Sequence, residues 1–152
     1  MDYIFTFLWS MTPIGELRIA IPIGMGRYDL PWYGVLPVAV IGNLIPGIFW
    51  LLVLPRLVSL LNRFPNPLGS LIRLRSESLR KHNTQRFQKY GAGALALLVA
   101  IPLPITGVWT GTLAAWTFEI PFRRALPAIA LGALTAGIIV TGLTGAGIMV
   151  SE

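Results

Sequence analysis

The chain has 152 residues, 55% of them hydrophobic and only 12% charged, and its mean hydropathy is +0.71. Soluble domains carry about 25% charged residues, so this composition excludes an ordinary water-soluble globule. No cysteine and a single histidine exclude disulfides, thiolate metal sites and the usual catalytic triads. No phosphate-binding P-loop pattern occurs either, and no cofactor, metal or catalytic residue is expected.

The first segment is an apolar stretch, 3–26, interrupted by PIGELRIAIPIG at 13–24. No basic region precedes it, so a secretory signal is not expected and 1–9 is read as retained. Residues 3–15 and 19–26 carry no charge, yet Glu16 and Arg18 lie between them. An ionisable residue at membrane depth costs about 2.5–3.5 kcal/mol on insertion scales and is a functional candidate by default. Pro13 and Pro22 flank the pair and predict a broken helix rather than a straight one. Side chains two residues apart do not face each other on an α-helix, so a simple intrahelical pair is not expected. Either the backbone is extended there or each side chain has its own partner. Glu16 is a candidate proton carrier, since burial disfavours the charged carboxylate. Arg18 is a candidate for holding an anionic group, for which its planar fork suits. The plainer reading makes them caps on two half-helices that pin the turn.

An acidic-apolar-Pro turn follows at 29–31, then a long apolar segment at 34–54 within the charge-free run 30–55. That run exceeds the roughly 20 apolar residues a membrane helix needs. Asn43, deep inside it, is expected to bond across helices. Segment 56–90 then carries eight of the chain's twelve basic residues and Glu77 as its one acid. The positive-inside rule puts it in the cytoplasm. Its turn-rich start, 62–70, leads into Leu71, Ile72, Leu74 and Leu79 among bases, the pattern of an interfacial helix against anionic headgroups. A basic run could also serve nucleic acid, but tethering between spans favours the membrane and no nucleic-acid partner is expected. His82 is read as a solvated linker residue.

The last third repeats the plan. A charge-free run at 90–118 contains the break IPLPITGVWTG (101–111), an acidic-apolar-Pro turn follows at 119–121, and a span is read at 125–150. The break carries Pro102, Pro104, Thr106, Trp109 and Thr110 as candidate ligand-facing residues. The alternatives are self-bonded threonines and a packing tryptophan. Gly107 with Gly111, and the ridge Ala133, Gly137, Thr141 and Gly145, read as close helix packing.

Residues 28–49 and 118–139 align at an offset of 90 with seven identities in 22 positions: Pro31/Pro121, Leu36/Leu126, Pro37/Pro127, Gly42/Gly132, Leu44/Leu134, Gly47/Gly137 and Ile48/Ile138. Pro13 and Ile14 match Pro104 and Ile105 at an offset of 91. Shared prolines and glycines in register indicate a duplication. The units are 1–55 and 91–152, with broken elements at 3–26 and 92–117. If each broken element spans fully, the repeats run parallel and Arg123 and Arg124 face outside. If each enters halfway and returns, the repeats are inverted and both arginines join the basic linker inside, as the charge rule favours. The expected fold is therefore an all-α integral membrane protein. Each unit is a re-entrant, Pro-broken hairpin plus one transmembrane helix, and the two form an inverted repeat. Interrupted apolar segments at matching places in two halves point to a transporter site. Two spans with two short hairpins bury little alone, so a homo-oligomer in the cytoplasmic membrane is expected.

The motifs PIGELRIAIPIG, IGNLIPG (41–47), KYGAGALALLVAIPLPITGVWTGTLAAW (89–116) and ALPAIALGALTAGIIVT (125–141) resemble the Putative small multi-drug export protein family. That family is distantly related to the DedA/VTT membrane proteins. The resemblance implies export of small or amphipathic molecules, with Glu16 and Arg18 matching the charged first motif and Pro102, Pro104 and Thr106 the second. The wider superfamily implies lipid or lipid-carrier translocation. DedA-type members carry an arginine near the second motif, whereas none lies between Lys89 and Arg123 here. The functional readings are a secondary transporter, proton-coupled through Glu16; a scramblase or flippase using Arg18 and the basic linker; and a non-transporting scaffold.

Overall fold

The computed structural model describes residues 1–61, 90–102 and 107–151. These residues form six α-helices and no strand: α1 (Asp2–Met11), α2 (Glu16–Pro22), α3 (Trp32–Leu61), α4 (Tyr90–Ala100), α5 (Val108–Thr117) and α6 (Phe122–Ser151). A π-helical turn, Ile23–Arg27, continues α2. The all-α expectation holds among the described residues. The basic stretch 62–89 with His82, and residues 103–106 with Pro104 and Thr106, lie outside them.

The first hairpin folds where the prolines predict a break, though only one proline makes it. Thr12 is extended (ψ 142), donates its hydroxyl to the Trp9 carbonyl at 2.7 Å and accepts the Gly15 N–H at 3.3 Å. Pro13 follows, and the chain reverses. The returning arm lies against the outgoing one: the Tyr28 ring is 6.2 Å from that of Phe5, and Gly24 abuts the Thr6 hydroxyl. Pro22 is the last residue of α2 but does not break the helical course of the chain. It cannot supply the N–H due four residues back, and the helix passes into the wider π turn.

Helices α3 and α6 each have 30 residues, about 45 Å at 1.5 Å per residue, which exceeds a bilayer core of about 30 Å. Segments Trp32–Leu60 and Phe122–Val150 are apolar enough to cross a membrane, with mean hydropathies of 2.1 and 2.0. Helix α3 runs beyond the predicted limit of 54, through Pro55 and Arg56, into the segment read as linker. The Arg56 guanidinium bonds the Leu52 carbonyl at 2.9 Å, so this charge decorates the helix rather than ending it.

Packing relies on small residues, as expected where lipid removes the hydrophobic drive between helices. In the first unit, a side chain at Gly42 would meet the Ser10 hydroxyl and lie 2.8 Å from the Phe7 carbonyl oxygen. In the second, one at Gly132 would lie 2.6 Å from the Ala96 carbonyl and 2.7 Å from Val99. The same offset recurs in the turns. Asp29 and Glu119 both adopt left-handed backbone, φ 52 and 53. Pro31 O accepts the Gly34 and Val35 N–H groups, and Pro121 O accepts those of Arg124 and Ala125. Between the units, Leu17, Ala20 and Ile21 form the buried face of α2, packed with Val35, Ala39, Ala133 and Ala136 in the core. Gly137 on the predicted small-residue ridge meets Leu36, Val40 and Ile21, so the ridge packs inside the chain.

Candidate functional site at the hairpin junction

Glu16 opens α2 and is the residue where the chain leaves regular helical geometry, with φ 47. Left-handed backbone costs a non-glycine residue roughly 1–2 kcal/mol, and such strain concentrates at functional sites. The turn carries the side chain to the other hairpin. Its Oε2 accepts the Val108 N–H at 3.3 Å and its Oε1 the Trp109 N–H at 3.2 Å. These are two of the amides that a helix N-terminus leaves without intrahelical partners, at the positive end of the α5 dipole. Gly107 caps α5, and any Cβ there would fall on the Glu16 carboxyl group. Gly107 is thus fixed by space, since its φ of 171 is ordinary extended backbone.

Arg18 serves the opposite end of the same break. Its Nη2 donates to the Ile101 carbonyl, one residue beyond α4, at 3.1 Å. Its Nη1 lies 3.6 Å from Glu16 Oε2, and the side chains are 15% and 7% exposed respectively. The expectation that each charge has its own partner is met. The ion pair between them, which helical spacing disfavours, also forms, because Glu16 is off helical backbone. Two hydrogen bonds to a carboxylate, about 1.5–3 kcal/mol each, offset part of the cost of burying its charge.

Asn43 on α3 is fully buried beside Glu16. Neither its Nδ2 nor its Oδ1 has a hydrogen-bond partner among the described residues. The expected cross-helix interaction is directed at Glu16 on α2, but no close hydrogen bond forms. Helix α3 also approaches α5 through Gly47, which faces Val108, and Trp50, whose ring is 6.0 Å from that of Trp109. Trp109 therefore packs against an aromatic neighbour, while its buried indole N–H has no partner among the described residues.

The remaining candidates separate. Pro13 is exposed at the hairpin tip, Pro22 is half-buried at the α2–π junction, and Pro102 is half-buried beyond α4. Thr110 is half-buried on the first turn of α5. Thr112, absent from the candidates, is buried and bonds the Val108 carbonyl at 2.7 Å. Pro104 and Thr106 fall outside the described residues. Sequence reading missed Gly107, Val108 and Ile101, since their contribution is backbone amide, backbone carbonyl and empty space. The one available signal was alignment at offset 91, which sets Glu16 opposite Gly107.

Among the described residues, no group of three or more His, Cys, Asp or Glu could hold a metal. Residues 16–139 match the model of a family described as Putative small multi-drug export protein. No curated protein and no solved structure matches the chain. The match covers most of the chain, including α2, α3, α5 and the first eighteen residues of α6 (122–139), and the chain belongs to this family.

Proposed function

We propose that this member of the small multi-drug export family is a proton-coupled secondary transporter of small or amphipathic molecules in the cytoplasmic membrane. The observation that carries the reading is the Glu16 carboxylate, bound across the hairpin junction to the Val108 and Trp109 amides. Protonation removes the charge that holds the α5 N-terminus, so proton uptake would loosen the contact between hairpins and proton release would restore it. A transporter needs two such arrangements of one site, and the substrate would enter between them. In this reading Arg18, Trp109 and Thr110 face the substrate, and Pro13, Pro22, Pro102, Pro104 and Thr106 shape the two breaks.

The architecture we propose is an inverted repeat of units 1–55 and 91–152, each a re-entrant hairpin and one span, joined by the basic segment 56–90. Helix lengths support it. The ten residues of α1 and of α5 reach about 15 Å, half a bilayer core. Helix directions support it as well. Tyr3 lies by Gly34, and Ser10 by Gly42, so α1 runs with α3 and the returning α2 against it. Ile21 lies by Gly137 and Met25 nearest Gly145, so α6 runs with α2 and therefore opposite to α3. Both termini then face outside, and the linker, Arg123 and Arg124 face the cytoplasm and its anionic headgroups. Reporter fusions at the termini test this; cytoplasmic termini would sink it. Two spans with two half-length hairpins favour a homo-oligomer.

Function is tested in proteoliposomes loaded with an amphipathic fluorescent dye under an imposed pH gradient. Movement that follows the gradient and disappears in Glu16→Gln supports coupled transport. Headgroup exposure of labelled lipid without a gradient would instead favour a scramblase. Neither activity in well-folded protein would leave a scaffold.

A further inference from the structure

The junction contains a polar group that the contacts described so far do not use. Asn43 is 0% exposed, and both ends of its carboxamide are without hydrogen-bond partners among the described residues. A buried amide left in that condition is costly, so its retention at the junction calls for a state in which it is bonded. Its place is defined by α3: Gly47, one turn on and on the same face, abuts Val108, whose N–H holds Glu16.

The chemistry of Glu16 supplies that state. An ionised carboxylate only accepts, and the Val108 amide, the Trp109 amide and Arg18 are all donors. Once protonated, the acid carries an O–H, and none of those three groups can accept it. Asn43 offers an acceptor oxygen and a donor nitrogen on one side chain, exchanged by rotation about its Cβ–Cγ bond. The other groups around Glu16 leave this assignment unopposed. Arg18 faces it from α2, α5 presents amides, and the titratable residues of neighbouring helices lie toward the helix ends. Those are Asp2 and Tyr3 on α1, Arg27 in the π turn, Tyr33 and Arg56 on α3, Tyr90 on α4, and Arg123 and Arg124 on α6. The second unit has Ala133 at the position matching Asn43, just as it has Gly107 opposite Glu16. The amide and the acid are present together in one unit and absent together from the other.

We propose that Asn43 is the positioning residue for the proton step, accepting from the protonated Glu16 acid the hydrogen bond that its amide lacks while α5 holds the carboxylate. The inference rests on Glu16 as the proton carrier. Glu16 gains or loses one proton, while Asn43 gains or loses the acid's O–H at its oxygen and keeps its own hydrogens. The loaded proton is thereby bonded, and the amide sets how readily the carboxyl group can leave α5.

Infrared difference spectroscopy on the full chain in lipid vesicles, stepped in pH, tests this apart from transport. The carboxylic C=O band of Glu16 is identified by its loss in Glu16→Gln. In Asn43→Leu, of similar volume, that band should move to higher frequency as its hydrogen bond is lost, and gradient-driven dye movement should slow about tenfold. Asn43→Ser, whose hydroxyl both donates and accepts, should hold the band nearer its native position. If the Leu variant does not fold, Asn43→Ala gives the same comparison. A Glu16 band that titrates but stays unmoved in the Leu, Ala and Ser variants overturns the role of Asn43 and leaves Glu16 as carrier. Absence of any titrating Glu16 band in the native chain overturns both.

Discussion

Glu16 and Gly107 hold corresponding places in the two hairpins, and they touch. Around them the backbones correspond closely. Asp29 and Glu119 share a left-handed turn, and Gly42 and Gly132 each admit the neighbouring helix to within contact of its backbone. The chemistry does not correspond. One hairpin brings a carboxylate and a guanidinium to the junction, α3 adds a carboxamide, and the other hairpin brings amides, a carbonyl and a glycine whose side-chain space the acid fills. The difference teaches that close packing at matched glycines is common to both halves, while the charge lies in one. A scaffold could be made of two equal halves, but a single charge between them requires unequal ones.

The sharpest way to break the comparison is to remove the acid. Glu16→Ala leaves Arg18 without its carboxylate at a mostly buried position and α5 without its cap. Loss of one partner from a buried pair typically costs 3–5 kcal/mol, and a drop of about that size is expected in denaturant unfolding from detergent micelles. Gly107→Ala attacks the same contact from the other unit by driving a methyl group into the carboxyl group. Overpacking of this kind costs about 1–3 kcal/mol. Combined with Glu16→Ala, it should cost much less than the sum, and a double-mutant cycle should return a coupling of about 1–3 kcal/mol. Additive losses would show that the two residues do not share the junction.

Where the units correspond, mutations should correspond. Gly42→Ala and Gly132→Ala each place a methyl group against a carbonyl of the adjacent arm, and both should lower stability by about 1–3 kcal/mol. Gly93→Ala, inside α4 with nothing within 4 Å, should instead stabilise by about 0.5–1 kcal/mol in thermal unfolding. Effects of similar size are expected in the turns. Asp29→Gly and Glu119→Gly relieve left-handed strain and should each stabilise by up to about 1 kcal/mol, equally. Unequal responses in either matched pair would show that the shared backbone carries different loads.

Much of this arrangement was legible in the sequence because prolines and glycines mark backbone events directly. Pro13 announced the hairpin turn, and the offset that pairs Gly42 with Gly132 identified the contact each makes. Pro22 misled in part, since a helix can absorb a missing N–H by widening into a π turn. The partners of Glu16 and Arg18 were not legible. Amide N–H groups of Val108 and Trp109 and the carbonyl of Ile101 exist at nearly every residue, so side-chain identity says nothing about which ones are unpaired. The spacing argument against a Glu16–Arg18 pair assumed helical backbone at a residue that is left-handed. Asn43 was expected to bond across helices from its depth alone, and depth does not reveal whether a polar group has a fixed partner or an occasional one.

The vacancy at Gly107 bears on how such a molecule could be assembled. Two separate copies of an identical hairpin, meeting at their tips, would set like against like at this point: acid against acid, or gap against gap. An acid seated in a gap is a combination that identical subunits cannot offer symmetrically. Joining the copies in one chain lets the two tips differ, and thereafter each constrains the other. Glycine cannot gain a side chain while the acid stays, and a second acid at the tip would meet the first with no room for either.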